Sequence, residues 1–381
     1  METKITAIET KAVSVPLIKT NPIQKWIESW SNQLLVLVRT NTEITGIGEV
    51  FIHASSQKPY IELIKTLSDL VIGMDPTNIN LVVDVLEKMT YASGRGGITS
   101  AVIAGIDTAL HDISAKIIGI PLYKLLGGKR RNAVKAYASL ARYDSVFEVI
   151  EVIKFALNQG FKDIKLHQGG ISVYEYIKSI REELGYQFNL MVDLNCSLSI
   201  HDALLLIPKL EKYSISWIEE PLWPPENLDI RSELSNYTTI PIAAGENLYC
   251  PYEYRKLIEV GKVKIIQPDI AKVGLSRVKK IIALAETYGC SVMLHCRPQS
   301  LWSTILTSIH VGVTMPWENM IEVSPTMPYQ EPFIEKIKFY NGWLYPSEVP
   351  GIGIKDTQWF DSFPPSKGNL PKFIDLDKNE N

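Results

Sequence analysis

Met191-Val-Asp-Leu-Asn195, Trp217-Ile-Glu-Glu-Pro221 and Ala244-Gly-Glu-Asn247 each place an acidic side chain at the end of a short apolar run. The pattern continues in both directions. Lys165, Asp193, Glu219, Glu246, Asp269, His295 and Glu322 follow one another at separations of 28, 26, 27, 23, 26 and 27 residues. That interval suits one β-strand, a loop, one helix and a return loop. A repeat of such units closes into a (β/α) barrel, whose active site lies at the C-terminal ends of the strands.

The strands expected from this rhythm are Val134–Ala138, Asp163–Leu166, Leu190–Val192, Ser216–Ile218, Ile242–Ala244, Lys264–Ile266, Ser291–Leu294 and Asn319–Ile321. Their continuous apolar character suits parallel strands buried on both faces. Helical patterns between them include Val146–Gln159, Val173–Glu183, Leu204–Tyr213 and Arg277–Thr287. Residues 1–125 lack the rhythm. There, strand patterns (Lys4–Val15, Gln33–Arg39 and Ile44–Val50, with Gly46 and Gly48 as a tight bend) precede helical ones at Pro59–Val71, Leu81–Met89 and Ser100–Ile118. Strands followed by helices predict a separate α+β domain. Residues 126–325 then form the barrel, and residues 326–381 are a Pro- and aromatic-rich segment with Gly351-Ile-Gly-Ile354 as a last strand.

The chain has 381 residues, 46% hydrophobic and 21% charged, enough for a large core. A net charge of -3 gives no reason to expect nucleic acid or an anionic membrane as partner. No apolar run reaches bilayer-spanning length. The N-terminus lacks a signal-peptide pattern, and four cysteines without Cys-x-x-Cys spacing fit a reducing cytoplasm.

Asp193, Glu219 and Glu246 end three successive strands. Three converging carboxylates need a compensating charge, and a hard divalent cation such as Mg2+ provides it through oxygen ligands. Lys165 and His167 alternate onto one face of their strand. Lys165 beside a cation would neutralise a substrate carboxylate, with its pKa lowered by nearby positive charge, and either Lys165 or His167 would serve as base. Asp269 would orient His295 across the mouth. Glu322, if protonated, would donate to a developing oxyanion. Cys196 and Cys296 are read as small fillers, His111 as a packed core histidine, His201 as a helix-start residue and His310 as helical filler. The loops Val15–Trp30 and Val50–Gln57 would close the mouth, with Trp26 and Trp30 walling the substrate and His53 on a loop above it.

Together with Ala109-Leu-His-Asp-Ile113, Pro121-Leu-Tyr-Lys-Leu-Leu-Gly-Gly128 and Gln267-Pro-Asp269, these motifs resemble the enolase superfamily, within it the mandelate racemase subgroup. The resemblance covers nearly the whole chain. It implies an α/β fold, a modified (β/α)8 TIM barrel of (β/α)7β form. An N-terminal α+β capping domain would be completed by the C-terminal segment. It implies Mg2+ held by Asp193, Glu219 and Glu246, a polar contact from Asn195, and chemistry beginning with removal of the proton α to a carboxylate. Glu246 and the Asp269–His295 pair favour this subgroup over the muconate-lactonizing one, and Lys272 lies beyond the expected base position. Where the subgroup's racemase has Lys-x-Lys, this chain has Lys165-Leu-His167. The expected activity is dehydration of a sugar acid through an enediolate to a 2-keto-3-deoxy acid. Racemisation or epimerisation by two-base proton transfer is the alternative. A Schiff-base aldolase using Lys165 and a binding-only barrel are the rivals. A homo-oligomer acting on a small carboxylate is expected by family analogy.

Overall fold

The computed structural model describes residues 2–14, 32–52, 56–297, 302–326, 337–355 and 357–366. Trp26, Trp30, His53 and the loop Val15–Trp30 therefore lie outside the described residues.

Three antiparallel strands open the chain, β1 (Ile5–Ser14), β2 (Asn32–Thr40) and β3 (Thr45–Val50). Helices α1 (Lys58–Ser68), α2 (Ile79–Thr90) and α3 (Gly97–Ile118) pack against them around a core that includes Leu34, Val36, Ile64, Leu86 and Ile106. Gly46 and Gly48 do not form the expected bend. They sit inside β3 because α3 lies directly on it. A Cβ on Gly48 would fall 1.9 Å from the Gly105 carbonyl oxygen, and one on Gly46 would fall 2.2 Å from that of Ala109. The glycines record a close backbone approach.

After the one-turn α4 (Leu122–Leu125) the strand–helix alternation begins. Its elements are β4 (Val134–Ser139), α5 (Val146–Asn158), β5 (Asp163–His167), α6 (Val173–Leu184), β6 (Asn189–Asp193), α7 (Ile200–Leu210), β7 (Ile215–Glu219) and α8 (Leu228–Ser235). They continue with β8 (Ile242–Ala244), α9 (Pro251–Glu259), β9 (Ile265–Ile266), α10 (Ile270–Val273), α11 (Leu275–Tyr288), β10 (Ser291–Val292), α12 (Trp302–Gly312) and β11 (Met320–Val323). Strands β4 to β10 pair in parallel in chain order, and β11 returns to pair in parallel with β4. Between the seventh and eighth strands one bridge, Leu294 to Ile321, replaces a ladder.

Inside this ring, Tyr137, Met191, Trp217, Ala243, Ile265 and Met293 form a buried layer, with Met320 packed against it. Side chains alternate along a strand, so the next inward position is two residues on. From Tyr137 it is Ser139, from Met191 Asp193, from Trp217 Glu219, from Ile265 Gln267, from Met293 His295 and from Met320 Glu322. A dry plug thus supports a polar layer at the C-terminal ends of the strands. The outward set, including Ile164, Val192, Ile218, Ile266 and Ile321, packs under the helices.

The remaining segment divides its contacts. A hairpin of β12 (Lys338–Tyr340) and β13 (Trp343–Tyr345) pairs with β4. Gly351-Ile-Gly-Ile354 makes only a single bridge, to Pro121, instead of the expected strand. Asp112 of α3 fixes it there by accepting the Ile352 amide at 2.8 Å and the Ile47 amide of β3 at 3.0 Å. Pro365 bridges to Val13 of β1.

Side chains tie the first three strands and helices to the barrel. Arg277 of α11 donates to Glu87 of α2 at 2.8 Å and to Ser100 of α3 at 2.9 Å. Ser276 donates to Asp107 of α3 at 2.6 Å. Glu49 of β3 is buried against α12, accepting from Thr304 Oγ1 at 2.7 Å and Ser303 Oγ at 3.2 Å.

Two predictions follow from this packing. Gly48→Ala should destabilise the protein by about 1–3 kcal/mol in denaturant melts, because the added methyl meets helix backbone. Burial pushes the Glu49 carboxyl from 4.5 up to about 7, against the pull of Arg297 and the Thr304 hydrogen bonds. The folded state therefore keeps a proton that the unfolded chain releases near 4.5. Stability should fall as pH rises through that window, by on the order of 3 kcal/mol in total. Glu49→Gln should flatten the slope in urea melts taken from pH 4.5 to 7.

Candidate active site

Lys165 is completely buried, its Nζ 2.9 Å from Glu219 Oε1, 3.0 Å from Glu322 Oε1 and 3.5 Å from Asp193 Oδ2. Its charge also lies 5.4 Å from the Tyr137 ring centroid. Burial alone would depress this ammonium, but Glu219, Glu322 and Asp193 hold it well above the ordinary lysine range.

Asp193, Glu219 and Glu246 each present an oxygen within 4.8 Å of the others. Strands β6 and β7 are adjacent and in register at Asp193 and Glu219, and Glu246 follows two residues after β8. Glu219 Oε2 accepts from Gln267 Nε2 at 2.6 Å and from Trp217 Nε1 at 3.3 Å. Burial, with Asp193, Glu322 and Glu246 nearby, pushes Glu219 well above the carboxylate range despite Lys165. Asp193 Oδ1 accepts the Asn195 amide at 2.8 Å, whereas buried Oδ2 receives no well-directed hydrogen bond. His167 Nε2 stands 2.8 Å from that oxygen, within ion-pair range. Three clustered carboxylates that offer only oxygen fit a hard divalent cation. With neither His nor Cys in the trio, a zinc-type set does not fit.

Two imidazoles flank the cluster. His167 Nδ1 lies 2.7 Å from the Leu140 carbonyl, which can only accept. Nε2, facing Asp193, is the ring nitrogen turned toward the carboxylate trio. On the other side, His295 Nδ1 is 2.6 Å from Asp269 Oδ2 and Nε2 is 2.9 Å from Glu246 Oε2. Burial works against the imidazolium, but Glu246, Glu322 and Asp269 raise His295 well above the usual histidine range. Burial would also raise Glu246, yet His295 and Lys272 hold it well below the carboxylate range.

Asp269 does not end a strand ladder. It bridges to His295 and caps α10, its Oδ1 accepting the Ala271 amide at 2.7 Å. Glu322 accepts from Ser139 Oγ at 2.6 Å and Tyr137 OH at 3.2 Å. Burial would raise it, but Lys165 and His295 lower it. It accepts both of these hydrogen bonds. Asn195, at φ 40°, accepts from Arg142 through Oδ1 at 2.8 Å.

Sequence reading missed several members of the site. Tyr137 and Ser139 were legible as inward positions two and zero residues from the end of β4. Gln267 stood in a quoted motif, as did Glu220, buried and accepting from Asn247 Nδ2 at 2.8 Å and Cys196 Sγ at 3.2 Å. Burial raises the thiols of Cys196 and Cys296, as inert fillers require. His111 is buried on Asp107, and buried His310 stacks on Tyr123 and is pushed down to about 4. Among the described residues no helix is long and apolar enough to cross a membrane.

Comparisons with known proteins agree with this architecture. Residues 7–127 match the N-terminal domain of mandelate racemase / muconate lactonizing enzyme, and residues 148–357 match the family described as enolase C-terminal domain-like. D-galactonate dehydratase of Pectobacterium atrosepticum is 32% identical over 340 residues, 84% of this chain and 88% of that protein. Arabinonate dehydratase of Saccharolobus solfataricus is 31% identical, covering 83% of this chain and 86% of that protein. The 3,6-anhydro-D-galactonate cycloisomerase of Zobellia galactanivorans superposes with a TM-score of 0.83 at 29% identity, over 94% of this chain and 99% of that one.

Replacing Asp269 by Asn should lower the pH at which His295 titrates, because one of the charges raising it is lost. NMR titration of labelled imidazole nitrogens checks this. An unchanged His295 titration would remove Asp269 from that role.

Proposed function

The chain belongs to the mandelate racemase / muconate lactonizing enzyme family of the enolase superfamily, and from that premise we propose that it dehydrates a sugar acid of the aldonate type. The observation that carries the proposal is the trio of oxygen-only carboxylates with an imidazole on each side, His167 on Asp193 at 2.8 Å and His295 on Glu246 at 2.9 Å. Dehydratases of galactonate and arabinonate among the relatives support the substrate class.

Asp193, Glu219 and Glu246 would hold Mg2+. When bound, it supplies positive charge that draws electron density toward the substrate carboxylate and makes the adjacent C–H more acidic. Lys165 contributes a second, permanent charge for that carboxylate. In this reading His167 is the base, and Lys165 on the same strand is the other candidate. His167 Nε2 takes the C2 proton, and the C–H electron pair passes into the enediolate. His295 Nε2 gives its proton to the departing 3-hydroxyl, which leaves as water as the C2–C3 double bond forms. The resulting enol tautomerises to a 2-keto-3-deoxy acid. Asp269 holds the imidazole in the orientation this step needs. Asn195 would contact the substrate. The protein would work in the cytoplasm as a homo-oligomer.

Racemisation or epimerisation is the second reading, since an imidazole stands on each side of the carboxylate trio. The cycloisomerase relative, itself an isomerase, favours keeping it.

A panel of aldonates incubated with enzyme and Mg2+ should yield a 2-keto acid and water. Solvent deuterium entering C2 without loss of water would select the isomerase reading instead. Glu219→Gln should reduce turnover by on the order of a thousandfold or more, measured as 2-keto acid formation. Full activity in that variant would contradict the assignment.

A further inference from the structure

Lys272 is nearly fully buried in α10, yet it points at neither imidazole. Its Nζ donates to the Glu246 carbonyl at 2.8 Å and to Asn247 Oδ1 at 3.0 Å. The Phe51 ring, just beyond β3, covers the same ammonium with its centroid 4.2 Å from Nζ. The Phe51 amide also donates to the Ala271 carbonyl of α10 at 3.3 Å. Asn247 in turn donates to Glu220 Oε2 at 2.8 Å.

We infer that Lys272 is a positioning residue that locks the Glu246 turn in place and makes that lock depend on docking of Phe51. The inference rests on the proposed role of Glu246 as a metal ligand. An ammonium has three donors and no acceptor, so it satisfies carbonyl and amide oxygens that a neutral side chain would leave unpaired. The aromatic face favours the charge once water is excluded. Glu246 is the only member of the trio that stands beyond the end of its strand. Asp193 and Glu219 are the last residues of β6 and β7 and have ladder pairing to hold them. Glu246 follows Gly245, whose φ is 126°, and needs another constraint. Lys272 provides it from the same short helix whose capping residue, Asp269, orients His295. One turn of chain therefore organises an acid/base group and a ligand carboxylate together.

The test is calorimetric titration of Mg2+ into the full-length wild type, Lys272→Met, Lys272→Arg and Asn247→Ala. Lys272→Met should weaken Mg2+ affinity by about 10–100-fold, the range for removing an outer hydrogen bond to a ligand. Lys272→Arg should recover most of the affinity, because a guanidinium can donate to the same oxygens and stack on Phe51. If Lys272→Met does not fold, Asn247→Ala, which removes one of the two acceptors, should still weaken binding. Wild-type affinity in both Lys272→Met and Asn247→Ala would overturn the inference and leave the proposed function standing. A wild type that binds no divalent cation would defeat the proposed function itself.

Discussion

A buried ammonium surrounded by carboxylates sets the terms for everything else at the mouth of this barrel. Lys165 has no exposure and sits within 3.5 Å of Asp193, Glu219 and Glu322, which come from three different strands. Burying any of these charges alone would be strongly unfavourable, and one Lys cannot offset three acids. Burial together with the acid cluster raises Glu219, so the trio of Asp193, Glu219 and Glu246 takes up added positive charge readily. The proposed cation follows from that imbalance. Both imidazoles answer to the same cluster, His167 through Asp193 and His295 through Glu246, while their other nitrogens meet the Leu140 carbonyl and the Asp269 carboxylate.

The scaffold holds this arrangement by layering. A plug of Tyr137, Met191, Trp217 and Met293 fills the barrel below the polar ring, so the charges rest on a packed, water-excluding floor. From above, β3 brings Phe51 against Lys272 and within 6.3 Å of the His295 ring. Arg277, Ser276 and Glu49 anchor the same region to α11 and α12. Docking of the N-terminal elements is therefore mechanically connected to the site that they cover.

Much of this was readable in the sequence, for a physical reason. A parallel strand buried on both faces must be apolar, and only its last inward position can afford a charge. Polar residues ending apolar runs at a constant interval consequently mark the barrel and its mouth. What escaped depends on partners distant in sequence. Gly46 and Gly48 look like turn residues until α3 is seen lying on them. The groups that lower the Glu322 carboxyl are Lys165, 157 positions earlier, and His295. Asp269 resembles a strand end, but its side chain caps α10. Gly351-Ile-Gly-Ile354 alternates as a strand would, yet Asp112 holds it through one bridge. Composition alone reports none of these long-range choices.

The most direct test of the central claim is anomalous diffraction from crystals soaked in Mn2+, a stand-in for Mg2+. One strong peak bonded to oxygens of Asp193, Glu219 and Glu246 is the expected result. No peak there, or an ion bound elsewhere with these three side chains turned apart, would contradict it.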